Sequence, residues 1–423
     1  MPRMDRIIKI LIVAPEYPYP PIDGHKVRVY NLVRHLPARY KFYFLAFGTE
    51  KVSDCLEDLK ERLGPSCENV ELISTSTLEP IHLNSLIESI INIFYPFEMS
   101  VGEPFYSHVM AARINDLINS RGYDLIYLCG LSIALHFDKR HSHVPFVVDI
   151  CDSISLLTKS YYKRGGRLPA KLRNYLNYIW ADRYEKIHVA GIRNIIMISS
   201  VDAERISRNC PKSRIWVLPN GVDTAHFKRP VGARGKTAEL LFTGVMNYPP
   251  NNEAMIYFIK EIFPLVKQKR LDVTLTIAGR EPTHELKSLA GKTSGVKLTG
   301  FVEDLRPFFN DAVIYIAPLL SGAGIKNKVL EAWSMSLPVV ATPISCAGIM
   351  TIENQNILLA DSPEDFAAKI LTLLSNETLR GRLSSNGRHT AEREYSWMSR
   401  SNILSSIFEE VINGSSSHIS GGC

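Results

Sequence analysis

Short apolar runs alternate along the first half of the chain with segments long enough to form a helix. The runs occupy residues 9–14, 43–47, 70–73, 124–128, 146–150 and 195–199. Nearly continuous apolar character is typical of parallel strands that helices cover on both faces. The first half therefore predicts a doubly wound α/β domain with a parallel sheet.

A second series of the same kind follows a break in this pattern. The stretch VLPNGVD, residues 217–223, contains Pro219 and Gly221 and is typical of a linker. After it, apolar runs occupy residues 240–244, 273–279, 296–301, 313–318, 337–342 and 356–360. The predicted fold class is α/β, with two doubly wound Rossmann-like domains, residues 1–216 and 217–395, facing a cleft in which the active site is expected.

The last part of the chain has a helical pattern. Residues 396–412 carry an apolar face that could dock on either domain, and we expect this helix to cross back to the first one. The polar tail, residues 413–423, is expected to be disordered.

Composition narrows the class of protein. The 423 residues, 45% of them hydrophobic and 22% charged, fall in the range of soluble globular proteins, and a net charge of +6 does not require nucleic acid as a partner. The seven cysteines form no C-x-x-C pair, so neither a disulfide framework nor a metal site is predicted. No apolar run approaches the roughly 20 residues that span a bilayer. We expect a cytoplasmic protein with at most peripheral contact to the inner face of the membrane.

The segment LLSGAGIKNKVLEAWSMSLPVVAT, residues 319–342, joins a predicted strand to a predicted helix through a glycine loop. The backbone N–H groups expected to face a ligand belong to Gly324, Ile325, Lys326 and Asn327. These groups, the helix dipole and the Lys326 ammonium group favour a bound diphosphate. Glu331 could accept hydrogen bonds from ribose hydroxyls. Alternatively, it is a solvated residue paired with Lys328, a contact worth about 0.2–0.5 kcal/mol.

Two loops of the first half carry further candidates. Gly24 follows a proline-rich loop and could let the backbone approach a ligand closely, or it completes an ordinary Asp-Gly turn. Asp149 and Asp152 close a predicted strand, where either carboxylate could take a proton from an acceptor hydroxyl. Their spacing also suits metal ligands, and Asp152 is a plausible helix N-cap.

Residues 158–180 combine basic and aromatic side chains without any acidic residue. The basic residues are Lys159, Lys163, Arg164, Arg167, Lys171 and Arg173, and the aromatic ones are Tyr161, Tyr162, Tyr175, Tyr178 and Trp180. Such a segment suits an anionic membrane surface or a lipid-phosphate acceptor. It also suits single-stranded nucleic acid, or simply a solvated helix with buried aromatic residues.

Three segments of the second half resemble the donor-binding half of the family 4 glycosyltransferases, in particular the bacterial branch that often serves surface-polysaccharide assembly. They are LLFTGVMNYPPNNEA (240–254), TIAGREP (276–282) and the long run 298–342, which contains the glycine loop. The first half resembles the family over fewer residues, in the segments PYPPIDGHKVRVYNLVRHL (18–36) and PFVVDICDS (145–153).

The resemblance implies the B-type glycosyltransferase fold and the transfer of a sugar from a UDP- or GDP-sugar with retention at the anomeric carbon. It implies no metal and no cofactor besides the donor. It also implies roles for seven residues. Glu331 would bind the ribose, and Lys326, with or without Lys328, would bind the diphosphate. Gly24 would approach the diphosphate from the other domain, Phe301 and Val302 would lie beside the base, and Gly244 would open the turn below the donor.

The chain departs from the family pattern at three places. A second glutamate is usual eight residues before Glu331, but Ala323 stands there, or Ser321 if the glycines are aligned. The arginine and lysine often found after Gly244 are replaced by Val245, Met246 and Asn247, and a usual histidine by Cys151. More of the phosphate binding therefore falls on Lys326 and Lys328.

The sequence thus predicts a retaining glycosyltransferase that acts on a lipid-linked or polysaccharide acceptor in cell-surface glycan biosynthesis. Membrane contact through residues 158–180 is part of this prediction. A sugar-nucleotide 2-epimerase and a non-catalytic nucleotide-sugar-binding protein are the alternatives.

Overall fold

The computed structural model describes residues 6–21, 24–48, 60–62, 64–80, 105–139, 143–163, 168–230, 232, 235, 238–322 and 325–419. The chain divides into two compact units. One comprises Met1–Leu218 with Ser401–Cys423, and the other Pro219–Arg400. The division after Leu218 lies two residues beyond the predicted boundary.

The first unit is built on a parallel sheet. Its seven described strands are β1 (Ile8–Ala14), β2 (Tyr40–Gly48), β3 (Cys67–Ser74), β6 (Leu125–Cys129), β7 (Phe146–Cys151), β8 (Asn194–Met197) and β9 (Arg214–Val217), in the order β3-β2-β1-β6-β7-β8-β9. A separate antiparallel pair is formed by β4 (Glu79–Pro80) and β5 (Phe105–Tyr106). Each of the six apolar runs of the first half overlaps one strand of this sheet, although the runs 124–128 and 195–199 extend beyond β6 and β8. The pattern missed β9 because this edge strand is only half-buried.

The second unit repeats the arrangement. Its six described strands are β10 (Glu239–Thr243), β11 (Thr274–Ala278), β12 (Val296–Leu298), β13 (Ile314–Ala317), β14 (Val339–Ala341) and β15 (Leu358–Leu359), in the order β12-β11-β10-β13-β14-β15. Every pairing among them is parallel. The side chains of the four inner strands are almost wholly buried, as expected for strands covered on both faces, whereas those of the edge strand β12 are partly exposed.

Helices connect these strands. Those of the first unit are α1 (Gly24–Arg34), α2 (His108–Ser120), α3 (Ile154–Lys163), α4 (Leu168–Val189) and α5 (Ser200–Ser207). Those of the second are α6 (Pro249–Tyr257), continued by a π turn (Phe258–Ile262) and α7 (Phe263–Lys269), then α8 (His284–Lys292), α9 (Arg306–Asp311), α10 (Asn327–Ser334), α11 (Pro363–Ser375) and α12 (Glu377–Tyr395).

The chain returns to the first unit within its last helix, α13 (Trp397–Ile419). The Ser401 hydroxyl donates to the Leu32 carbonyl over 2.8 Å, and the Tyr40 hydroxyl lies 2.8 Å from that of Ser405. The helix extends beyond the predicted 396–412. The expected disorder of the tail is therefore wrong for residues 413–419, and residues 420–423 lie outside the described part.

The winding of each sheet reverses once. In the first unit β1 lies between β2 and β6, and in the second β10 lies between β11 and β13. The connections that leave β1 and β10 therefore run towards one edge of the sheet, and those that leave β6 and β13 run towards the other. This change of direction opens a crevice at the carboxyl ends of the neighbouring strands, β1 and β6 or β10 and β13. Proteins of the α/β class bind ligands in such a crevice. In the second unit this crevice is bordered by the loop that begins at Gly244 and by the glycine loop after β13.

Candidate functional site

Glycines allow the loops at the carboxyl edge of the second sheet to lie against one another. The Gly244 N–H donates to the Ala278 carbonyl over 3.1 Å, and a Cβ on Gly279 would lie 1.7 Å from the Gly244 oxygen. A Cβ on Gly244 would lie 2.7 Å from Asn251 Nδ2 and 3.1 Å from Lys328 Nζ. Gly244 thus leaves room for a lysine and an amide. Its place below the donor stays a prediction.

Lys328 is held in this space by two neighbours. Its ammonium group donates to Asn251 Oδ1 over 2.5 Å and lies 4.4 Å from the centre of the Phe242 ring. Asn251 is buried and fixes its own amide by donating to the Val245 carbonyl over 2.9 Å. Burial lowers the pKa of Lys328 from 10.5 to about 7, against the raising effect of Glu331.

Glu331 lies one helical turn after Lys328 on α10. Burial raises the pKa of its carboxyl group to about 7, and the Lys328 charge opposes this rise. Within the part of the chain that the structure describes, the Glu331 carboxylate makes no hydrogen bond. A ligand with paired hydroxyls would supply the missing donors. The structure therefore places Lys328, a second candidate beside Lys326 for the diphosphate, one turn before Glu331, the candidate for the ribose.

Lys326 occupies the residue before α10 and is 8% exposed. The glycine loop curls over it: a Cβ on Gly322 would lie 3.3 Å from Lys326 Cε and Nζ. Ile325 is half-buried against the second unit's core. Of the four residues predicted to turn backbone N–H groups to a diphosphate, Gly324 lies outside the described residues, as does Ala323.

The base of the glycine loop is fixed by hydroxyl groups. The Ser345 hydroxyl accepts from the Leu319 N–H over 3.2 Å, and the Thr342 hydroxyl donates to the Leu319 carbonyl over 2.6 Å. Both hydroxyl groups are buried. Sequence reasoning missed these two anchors and Asn251. Asn251 and Thr342 lie inside the segments that carry the resemblance and Ser345 just after them, but nothing in the pattern revealed their partners.

The predicted base-binding residues follow β12 at the same edge of the sheet. Phe301 is 70% exposed, which is unusual for a phenylalanine, and Val302 is half-buried. Gly300, in the left-handed region at φ 72°, sets the turn that presents them. Their place beside a base stays a prediction.

In the first unit, Asp149 differs from its predicted role. Its oxygens accept from Arg28 Nε at 2.9 Å, Arg28 Nη2 at 3.2 Å and the Tyr127 hydroxyl at 2.7 Å, and both charged side chains are almost fully buried. Burial lowers the pKa of Arg28, but the charge and hydrogen bond of Asp149, together with smaller effects of Cys151 and Tyr127, outweigh it, so that the pKa is raised overall. A carboxylate so occupied is not open to an acceptor hydroxyl. The geometry favours a structural role for Asp149, joining α1 to the sheet.

Asp152 is exposed on the loop after β7. The residue before it, Cys151, has φ 64°, a left-handed conformation that is strained for a side chain of this kind. The Ser153 hydroxyl accepts from the Leu156 N–H over 3.3 Å, so Ser153 rather than Asp152 caps the helix α3. The role of Asp152 in acceptor chemistry stays a prediction.

Buried Glu185 holds this loop from helix α4. Its carboxylate accepts from the Ser153 hydroxyl at 2.8 Å and from the Ser155 N–H at 3.0 Å. Sequence reasoning missed Glu185, although an acid on the inner face of a helix is a signal for such a role.

Gly24 is the first residue of α1. A Cβ there would meet no protein atom within 4 Å, so protein packing does not require a glycine. Its approach to a diphosphate stays a prediction, and Asp23 lies outside the described residues. Among the residues that the structure describes, no group of three or more His, Cys, Asp or Glu side chains could hold a metal ion. No helix in that part is long and apolar enough to cross a membrane.

Two protein families match the chain, one in each unit. Residues 22–226 match the family described as "Glycosyltransferase Family 4", and residues 237–376 match "Glycosyl transferases group 1". The chain is a family 4 glycosyltransferase. The family predicted from the glycine loop and its neighbours is thereby confirmed.

The glycosyltransferase is similar to proteins of bacteria. It is 21% identical to an uncharacterized 44.6 kDa protein in the cps region of Klebsiella pneumoniae, over 95% of this chain and 99% of that protein. It is 26% identical to the phosphatidyl-myo-inositol mannosyltransferase of Mycobacterium tuberculosis, over 46% of this chain and 53% of that enzyme.

The fold of the glycosyltransferase is also that of a solved structure, Anabaena HepE in complex with UDP and glucose. The two chains align with a TM-score of 0.61 at 16% identity, over 95% of this chain and 99% of HepE. The predicted B-type glycosyltransferase fold, with two parallel α/β units, is confirmed.

Proposed function

We propose that this glycosyltransferase transfers a sugar from a nucleoside-diphosphate sugar, with retention and without a metal ion, to a glycan or lipid-linked acceptor of the cell surface. One observation carries the donor assignment. The Lys328 ammonium group reaches Asn251 and the turn at Gly244, and Glu331, one turn later on α10, makes no hydrogen bond with any residue that the structure describes.

Charge complementarity explains the choice of donor. The ammonium groups of Lys326 and Lys328 lie at the start of a helix, so the helix dipole adds to their positive potential. A leaving diphosphate develops negative charge there, and preorganised cations stabilise it as a metal ion would. Glu331 binds the ribose hydroxyls, and exposed Phe301 offers an apolar face to the base.

The acceptor assignment is supported by relatives named for a cps region and for a mannosyltransferase of phosphatidyl-myo-inositol. A surface of the first unit adds to it. Exposed apolar side chains form one stripe along α4: Leu168 (82% exposed), Leu172 (50%), Tyr175 (41%), Leu176 (37%) and Ile179 (45%). Exposed Lys171 and Arg173 flank this stripe, and Arg183 and Lys186 continue its face beyond Ile179, where Lys186 pairs with Asp182.

An apolar helical stripe with basic flanks fits the interface of an anionic lipid bilayer. We propose that α4 docks there and brings the enzyme to a membrane-bound acceptor. Of the basic residues predicted for this surface, Arg164 and Arg167 lie outside the described residues. In a vesicle flotation assay, Leu172→Ser with Ile179→Ser should weaken binding to phosphatidylglycerol vesicles at least about tenfold, since two large apolar side chains no longer insert. Val201→Ser, an exposed apolar residue on α5, is the control. Equal flotation of both variants would contradict the docking.

The activity is tested by incubating the protein with UDP-, GDP- and ADP-sugars and following the free nucleoside diphosphate, with and without lipid-linked glycan acceptors. Release that depends on acceptor, with a product of unchanged anomeric configuration by NMR, is expected. Interconversion of UDP-sugars would instead support an epimerase, and thermal stabilisation without turnover a binding protein. Lys326→Ala should lower donor affinity by about 1.5–3 kcal/mol, the worth of a charge-assisted contact. Lys292→Ala, an exposed lysine at the end of α8, should leave it unchanged.

A further inference from the structure

A carboxylate and a hydroxyl meet at the rim of the donor crevice. The Ser321 hydroxyl of the glycine loop donates to Glu253 Oε2 of α6 over 3.1 Å. Glu253 is exposed, and it forms no ion pair with any residue that the structure describes. The two groups come from the connections after β10 and β13, the strands that border the crevice.

The position of this pair follows from the contacts on both sides of it. Two residues before Glu253, Asn251 accepts from the ammonium group of Lys328. One residue after Ser321, Gly322 lies against the ammonium group of Lys326. Glu253 is therefore close in sequence to a residue that binds Lys328, and Ser321 is next to a glycine that lies against Lys326.

Both backbones that carry the pair are fixed. Leu319, two residues before Ser321, is bound through its N–H and its carbonyl by Ser345 and Thr342. On α6, buried Asn251 is tied to the Val245 carbonyl. A carboxylate held on a rigid support can recognise a ligand without a large cost of ordering.

The charged groups at this crevice differ in burial. Lys326 is buried and Lys328 is half-buried, and both ammonium groups would attract the diphosphate. Exposed Glu253 repels a phosphate, but its carboxylate accepts hydrogen bonds from hydroxyl groups, and the Ser321 hydroxyl can both donate and accept. Neighbouring hydroxyls of a sugar offer this combination of donors and acceptors.

We infer that Glu253, oriented by Ser321, binds hydroxyl groups of the donor's sugar and so helps to select it. This inference rests on the proposed function and deepens it. It also assigns a carboxylate to the site although the glycine loop itself carries Ala323 or Ser321 where an acid was expected.

Isothermal titration of wild type and Glu253→Ala with UDP-glucose, GDP-mannose, UDP and GDP tests this role. For the pair that the wild type binds better, Glu253→Ala should raise the Kd of the nucleotide sugar about ten- to a hundredfold, as expected for a lost charged hydrogen bond, and change that of the nucleoside diphosphate less than about twofold. Glu253→Gln, which keeps the shape, should lie between. Glu261→Ala, an exposed carboxylate on the π turn after α6, is the matched control and should bind like wild type.

Donor analogues with one sugar hydroxyl replaced by fluorine sharpen the result. At least one replacement should raise the Kd of the analogue for the wild type. The same replacement should change the Kd for Glu253→Ala less than about twofold, because the carboxylate that accepts from this hydroxyl is already absent. A Glu253→Ala variant that binds nucleotide sugar like wild type, or that loses nucleoside diphosphate equally, would overturn the inference alone. A wild type that binds none of the four ligands would overturn the proposed function and the inference with it.

Discussion

Donor binding should change the number of protons bound to the protein: it should take up protons above pH 7 and release them below pH 7. In the free protein the pKa values of Lys328 and Glu331 both lie at about 7, displaced by burial from 10.5 and 4.5. A bound diphosphate favours the charged lysine, and ribose hydroxyls favour the charged carboxylate. Binding therefore raises the pKa of Lys328 and lowers that of Glu331.

The size of the effect follows from these values. At pH 8 about a tenth of Lys328 is charged in the free protein, so binding should take up as much as about 0.9 proton. At pH 6 about a tenth of Glu331 is charged, so binding should release a similar amount. Each unit of pKa shift contributes about 1.4 kcal/mol to donor affinity, and this coupling makes affinity greatest near pH 7.

The assay is titration calorimetry with a nucleotide sugar, whose diphosphate does not itself titrate in this range, in two buffers of different ionisation enthalpy at pH 6 and pH 8. Lys328→Met should abolish the uptake at pH 8, and Glu331→Gln the release at pH 6. Lys292→Met is the control and should retain both. Proton exchange that is absent from wild type, or unchanged in Lys328→Met and Glu331→Gln, would refute the assignment of this pair to the donor site.

Other substitutions test the framework around the site. Asp149→Asn should lower the free energy of unfolding by about 3–5 kcal/mol, because Arg28 stays buried without its counter-charge, while donor affinity measured by calorimetry should survive; a loss below about 1 kcal/mol in denaturant unfolding would argue against the structural role. Asp152→Asn should leave donor affinity unchanged and slow transfer if Asp152 contacts the acceptor, and full activity in a turnover assay would remove it from the mechanism. Gly279→Ala should prevent stable folding of the second unit, since its Cβ would overlap the Gly244 oxygen, whereas Gly291→Ala on α8 has open space and should melt at or slightly above the wild-type temperature.

Much of the fold could be predicted because buried parallel strands are apolar over their whole length. Runs such as 9–14 and 240–244 are of this kind, and each forms a central strand. The edge strand β9 was missed because its side chains are half-exposed and its last residue was taken for the linker. The extent of the last helix was missed because its final turns are polar.

The candidate donor residues Lys326, Lys328 and Glu331 could be proposed from the sequence because they lie close together at the start of one helix. Their neighbours from other elements could not, because the contacts join residues distant in sequence: Asn251 accepts from Lys328, and Glu253 accepts from Ser321. Asp149 was misread for a related reason. Its counter-ion, Arg28, precedes it by 121 residues, and no local pattern shows that the carboxylate is already paired.

A crystal structure of the protein with an intact nucleotide sugar is the most direct test of the donor site. The diphosphate should lie within hydrogen-bond distance of the ammonium groups of Lys326 and Lys328, with the ribose hydroxyls on the Glu331 carboxylate. A nucleotide sugar bound with its diphosphate away from both lysines, or with its ribose away from Glu331, would contradict this assignment.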